Sequence, residues 1–114
     1  MPTSQQNLNI SSSLSCLTQA SNALHQLIMN EPDLQKANAL SDVSRKIDDL
    51  ATALLQAKYA ANDALFQQAT VDLNNRANDL KAQEDKIKQI VADVGTAAQI
   101  LGYIVQAATF IAAL

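Results

Sequence analysis

An all-α fold is predicted, an antiparallel helical hairpin or three-helix bundle with an elongated, uncharged C-terminal helix, on three observations. The only helix breakers are Pro2, Pro32, Gly95 and Gly102, so residues 33–94 run without interruption. Apolar side chains recur in alternating steps of three and four along most of the chain. All nineteen charged side chains fall between Glu31 and Asp93, leaving a charged middle between two neutral ends.

Helix 1 is expected over about 5–29. Ile10, Leu14, Leu17, Ser21, Leu24 and Ile28 form its seam, and Leu27 widens the face. The serines at 4, 11, 12, 13 and 15 are better caps than interior residues, so the helix starts at Ser4 or frays to about Ser11. Asn30-Glu31-Pro32-Asp33 then marks a tight turn. Asn30 is read as an N-cap, with Pro32 and two acids in the first turn of the next helix.

Helix 2 is expected over 33–61, with Leu40, Val43, Ile47, Leu50, Leu54, Ala57 and Ala61 on its seam. Five residues separate Ala61 from Phe66 where three or four are needed, and Asn62-Asp63 at that slip can cap a new helix. A break at Asp72-Leu73-Asn74-Asn75 and an unbroken rod are the rival readings. Helix 3 is then expected over 63–93, on a seam through Phe66, Ala69, Leu73, Leu80, Ile87 and Ile90 with Arg76 and Gln83 filling two positions. The rhythm continues through Val94, Ala97, Leu101, Ile104, Ala108 and Ile111, so residues 94–114 form an uncharged helical extension, or turn at Gly95 with Thr96 as a cap. The chain 1–114 is read as a single helical domain.

Alanine and leucine supply most of the apolar surface, since the chain has two Tyr, two Phe and no Trp. The net charge of −3 and the interleaving of Arg45, Lys46, Arg76, Lys81, Lys86 and Lys88 with acids argue against nucleic-acid binding. The start, MPTSQQNLNI, has neither the basic region nor the apolar core of a secretory signal peptide. The compartment is left unknown, cytoplasmic or reached by a signal-peptide-independent route.

Nothing in the sequence assembles catalytic, cofactor or metal chemistry. His25 is the one histidine, with its nearest carboxylate, Glu31, six residues away, and a general base there depends on tertiary contacts. No Glu-x-x-His pair, zinc pattern, glycine-rich phosphate loop or nucleophile elbow occurs. Cys16 has no basic neighbour to activate it and reads as a small apolar side chain. Enzymatic activity is not expected.

The expected function is non-catalytic: a helical interaction protein that self-associates or binds a helical partner through its uncharged terminal segments. The interface candidates are Leu14, Leu17, Leu24, Ile28, Ile100, Leu101, Ile104, Val105 and Ile111. The alternative is a membrane-active protein, pore-forming or tail-anchored, that inserts residues 94–114. Gln99, Tyr103 and Gln106 would then be the lumen face. Gln99 and Gln106 make insertion borderline, while Gly95, Gly102 and Thr109, seven residues apart, would let another helix approach closely. The neutral Ser/Gln-rich start resembles the leaders of bacterial type III secretion substrates, and a coiled hairpin carrying an apolar helix is similar to α-helical pore-forming proteins.

Overall fold

The computed structural model describes residues 2–114 and is all-helical, with no strand among them. Helix α1 spans Ser4–Asn30, α2 Leu34–Lys58, α3 Asp63–Lys81, α4 Glu84–Ile90 and α5 Val94–Ala112. Local chemistry explains each boundary. Thr3 and Gln6 form a reciprocal capping box at the start of α1, which lets a serine-rich segment begin cleanly. Asp33 caps α2 through the amides of Gln35 and Lys36, and Asn62 caps α3 through that of Leu65.

Asn30 is not the cap of α2. It is the last residue of α1, and its side-chain amide donates back to the carbonyl of Gln26. Pro32 therefore precedes the cap rather than opening the helix. The reversal itself is made by extended backbone at Glu31 (φ −93°, ψ 111°) and Asp33 (φ −81°, ψ 116°).

The expected helix 63–93 is two helices, and the segment after it does not prolong them. Lys81 in the last turn of α3 and Glu84-Asp85 in the first turn of α4 suit a C-terminus followed at once by an N-terminus. Ala82 and Gln83 keep near-helical dihedral angles, and α4 packs on α2 and α5 as α3 does. A reversal follows at Val91-Ala92-Asp93, with the same extended geometry as the first (Val91 φ −101°, ψ 108°; Asp93 φ −80°, ψ 115°). Asp93, rather than Thr96, caps α5 by accepting from the amide of Thr96 at 2.8 Å.

The four long rods form a ring. α1 packs on α2 and α5, and α3 packs on the same two helices from the opposite corner. Hydrogen bonds fix the directions: Ser13 reaches Ala107 and Gln6 reaches Leu114, so α1 and α5 are antiparallel, and Ser21 to Asp48 and Ser44 to His25 do the same for α1 and α2. The result is an up-down-up-down bundle of 47 × 21 × 20 Å.

The core runs in steps of three and four on each rod. It uses Ile10, Ser13, Leu17, Ala20 and Leu24 on α1, and Leu40, Val43, Ile47, Leu50, Leu54 and Ala57 on α2. Phe66, Leu73, Ala77 and Leu80 come from α3, Ile87 from α4, Val91 from the turn after it, and Ala97, Ile100, Ile104, Ala107 and Ile111 from α5. Two seams are thus rotated from the expected ones. On α1, Ser13 and Ala20 take inward positions, leaving Leu14 and Ile28 half-buried, and on α5 Ile100 and Ala107 are fully buried while Leu101 is only half-buried. Small residues face each other where α1 meets α5, and the Ser13 Oγ donates to the Ala107 carbonyl at 3.1 Å. Arg76 does not fill the α3 seam. Its guanidinium stays exposed beside Asp72, and Ala77 is buried instead.

Two outcomes follow from this packing. Leu17→Asp and Ile104→Asp should each destabilise the fold by about 3–5 kcal/mol, as expected for an unpaired charge in the core, whereas Gln19→Asp on the exposed side of α1 should stay within about 0.5 kcal/mol; denaturant melts compare them. The amide hydrogen bond from Thr96 holds the Asp93 carboxyl below the ordinary aspartate range. A depressed carboxylate stabilises the fold above its unfolded pKa of about 3.9, and this is lost as pH falls through the lower folded value. Acid titration of α5 helicity should therefore show a component below about pH 3.9 that Asp93→Asn removes.

Candidate functional site

One tertiary pairing brings together groups with catalytic potential. His25 on α1 lies with Nε2 3.1 Å from the Oγ of Ser44 on α2, an approach the sequence could not show. Ser44 is buried in the middle of a helix, and Asp48, one turn further, accepts from Ser21 at 3.3 Å. His25 is exposed, and a groove of about 380 Å³ lined by His25, Ser41, Ser44, Arg45 and Asp48 opens beside the pair, which bridges α1 and α2. Among the described residues, no group of three or more His, Cys, Asp or Glu side chains is placed to hold a metal ion.

Cys16 lies in the α1/α5 seam, with its Sγ 3.8 Å from the Oε1 of Gln106. Burial pushes its thiol pKa up, away from the thiolate needed for reactivity.

The sorting of charge around the bundle is the more informative feature. α1 and α5 are neighbours, and neither carries a charged side chain; α2, α3, α4 and the turns hold all of them. One side of the rod is consequently a neutral wall. The α1 part of it exposes Ser11, Ser15, Thr18, Gln19 and Asn22, which are polar without charge.

The interface candidates are divided by the fold. Leu17, Leu24, Ile100, Ile104 and Ile111 are buried in the core, where α1 meets α5 within one chain. Leu14, Ile28 and Leu101 are half-buried against it, and only Val105 stands out, 53% exposed. Gln99 and Gln106 are exposed and Tyr103 is half-buried. The Gln99 side chain donates to the Tyr103 hydroxyl at 3.3 Å.

What the sequence reading missed is a second seam on the outside of α5. Ala98, Gly102, Val105, Thr109 and Ala112 follow steps of four and three, and all but the half-buried Gly102 are exposed. They point away from the core set of Ala97, Ile100, Ile104, Ala107 and Ile111. The signal was present as the recurrence of Gly95, Gly102 and Thr109, but the register of small residues alone does not tell inside from outside.

Alongside this seam, a groove of about 470 Å³ opens between α4 and α5, floored by Val91, Ala97, Ala98 and Leu101 and rimmed by the Glu84–Lys88 ion pair. α5 is long and apolar enough to cross a bilayer by length and composition, yet only 33% of its apolar window is buried.

Gly102 sharpens the point. A glycine inside a helix costs about 1 kcal/mol relative to alanine, and a Cβ built on Gly102 meets nothing within 4 Å. Packing inside the chain does not require this glycine. Gly102→Ala should accordingly stabilise the dilute, unassociated chain by up to about 1 kcal/mol in denaturant unfolding. No protein-family model, curated protein or solved structure matches the chain.

Proposed function

We propose that this chain is a non-catalytic helical interaction protein that docks through the uncharged wall of α1 and α5, either to itself or to a helical partner. The observation that carries the reading is α5, an apolar helix of whose span 33% is buried, lying on a side of the bundle without a charged side chain. Val94 and Val105 are its exposed large apolar side chains, set among exposed Ala98, Gln99, Gln106, Thr109 and Ala112. The charged helices α2, α3 and α4 keep the rest of the surface wetted. This reading assigns no catalytic role to His25 and Ser44, whose hydroxyl is buried.

The core residues among the original interface candidates hold α5 to α1 and cannot also face a partner. The docking face is therefore the outward side of α5, with Val105 near its middle. The neutral face carries no lysine or arginine, so it offers nothing to anionic lipid headgroups. Insertion of α5 would also strip Ile100, Ile104 and Ile111 from the core. A second reading, insertion of 94–114 with Gln99, Tyr103 and Gln106 lining a lumen, draws on the length and composition of α5.

Light scattering with and without lipid vesicles separates the two. Wild-type chain should give a mass of at least twice 12.2 kDa that vesicles do not change. Val105→Lys, an exposed change that leaves the fold within about 0.5 kcal/mol, should return it to the mass of one chain. A chain that stays monomeric without vesicles but releases vesicle contents would replace this reading with the membrane one.

A further inference from the structure

We infer that the groove between α4 and α5 is a binding site for a single-chain amphiphile with a zwitterionic head, its alkyl chain lying along the alanine-lined floor and its head over the Glu84–Lys88 ion pair. The site is distinct from the outward docking face around Val105 and goes beyond that reading.

Two stripes of side chains make the groove. α4 and the turn after it contribute Glu84, Lys88 and Val91 at steps of four and three, and α5 contributes Val94, Ala97, Ala98 and Leu101, one face of its first two turns. Ala92, Ala97 and Ala98 stop at a methyl group where longer side chains would fill the space, while Ile87 is turned into the core. About 470 Å³ is left open. This falls within the range of about 300–1,000 Å³ for pockets that hold small molecules, and the lining has their usual makeup, apolar with a few polar groups. The grooves at Lys46 and Asp49 and at His25 and Asp48 are lined mainly by charged and polar side chains and have no comparable floor.

Polarity changes along the length of the groove. Val91, Ala92 and Val94 surround the end at the chain reversal. Glu84 Oε1 accepts from the Lys88 ammonium at 3.0 Å, so the Lys88 side chain leans away from the turn and both charges gather at the other end. Seven residues of α4 separate Glu84 from Val91, about 10 Å at 1.5 Å per residue. A groove that is apolar along its length and charged at one end is the complement of an amphiphile.

The rim carries one charge of each sign, on side chains that are both 58% exposed. Glu84 takes one N–H of the ammonium and leaves two, and the carboxylate keeps a second oxygen. A purely anionic head on Lys88 would lie beside Glu84, and a purely cationic head on Glu84 would lie beside Lys88. A zwitterion set antiparallel to the pair meets both without like-charge contact. Exposed ionic contacts are individually weak, so the head selects while burial of the alkyl chain supplies most of the affinity.

The test titrates the full chain with decylphosphocholine, decanoate and decyltrimethylammonium, each below its micelle-forming concentration, by isothermal calorimetry. The zwitterion should bind about tenfold tighter than either ion, the selectivity of two exposed ionic contacts. Glu84→Gln should shift the preference to decanoate, and Lys88→Gln should shift it to decyltrimethylammonium. Ala98→Trp fills the floor from an exposed position and should abolish binding of all three with circular dichroism unchanged. Val105→Lys should leave binding intact even as it abolishes association. Three heads that bind alike in wild type and in both glutamine variants overturn the inference, whether or not Ala98→Trp folds, and so does affinity that survives in folded Ala98→Trp. Loss of binding in Val105→Lys would move the site to the association face, and binding only to phosphatidylcholine vesicles would mean a bilayer rather than a dispersed amphiphile; either result also overturns it.

Discussion

Ser13 donating its hydroxyl to the carbonyl of Ala107 is a bond between one helix's side chain and another helix's backbone, and it forms only if the two axes come close. Ala20 and Ala107 are buried without the bulk that would hold α1 and α5 apart. From that approach the rest of the architecture follows. α5 must turn back at Val91-Ala92-Asp93 to lie beside α1, α2 and α3 are then left to close the ring, and the two neutral segments at opposite ends of the sequence become one continuous side of the molecule. The partition of charge along the chain is converted into a partition of charge around the bundle.

The same closeness explains why hydroxyls recur inside. Ser13, Ser21 and Ser44 are buried, and each has a named partner: Ala107, Asp48 and His25. A core built largely from leucine, isoleucine and alanine can slide by a heptad at modest cost, because neighbouring layers look alike. Directional bonds placed off the repeat make the correct alignment distinct from its shifted copies. They contribute little net free energy each, on the order of 1 kcal/mol, but a slipped register would leave the groups buried and unpaired.

Much of this was readable from residues alone. Proline and acid at 31–33 announced the first reversal, the phase slip before Phe66 located the start of α3 at Asn62, and the seam of α2 was read in its true phase. The failures share a cause. Stepping through the largest apolar residues picked Leu14 over Ser13, because size stood in for burial where close packing reverses the preference, and carrying the α3 rhythm across the turn put the α5 seam on Leu101 instead of Ile100. The turn at 91–93 contains no glycine or proline, so its only sign was an aspartate, and Gly95 drew attention two residues too late. Arg76 was given a seam position by counting, although its charge keeps it in water beside Asp72. The contact of His25 with Ser44 joins residues nineteen apart on different helices, and no spacing rule within one helix could anticipate it.

The hydrogen bond from the Gln6 side chain to the carbonyl of Leu114 places the first turn of α1 beside the last residue of α5. With the ends adjacent and each rod touching two neighbours, the bundle is a ring in which the position of the opening is incidental to the packing. A short linker across Thr3 and Leu114 would close that ring, and a new opening between Ala61 and Asn62 would leave every side of it intact. The order α3, α4, α5, α1, α2 would then encode the same solid. Circular permutation is tolerated where termini meet at the surface and the cut falls in an exposed connection. Here it would move the neutral wall from the two ends of the sequence to its centre without altering the wall.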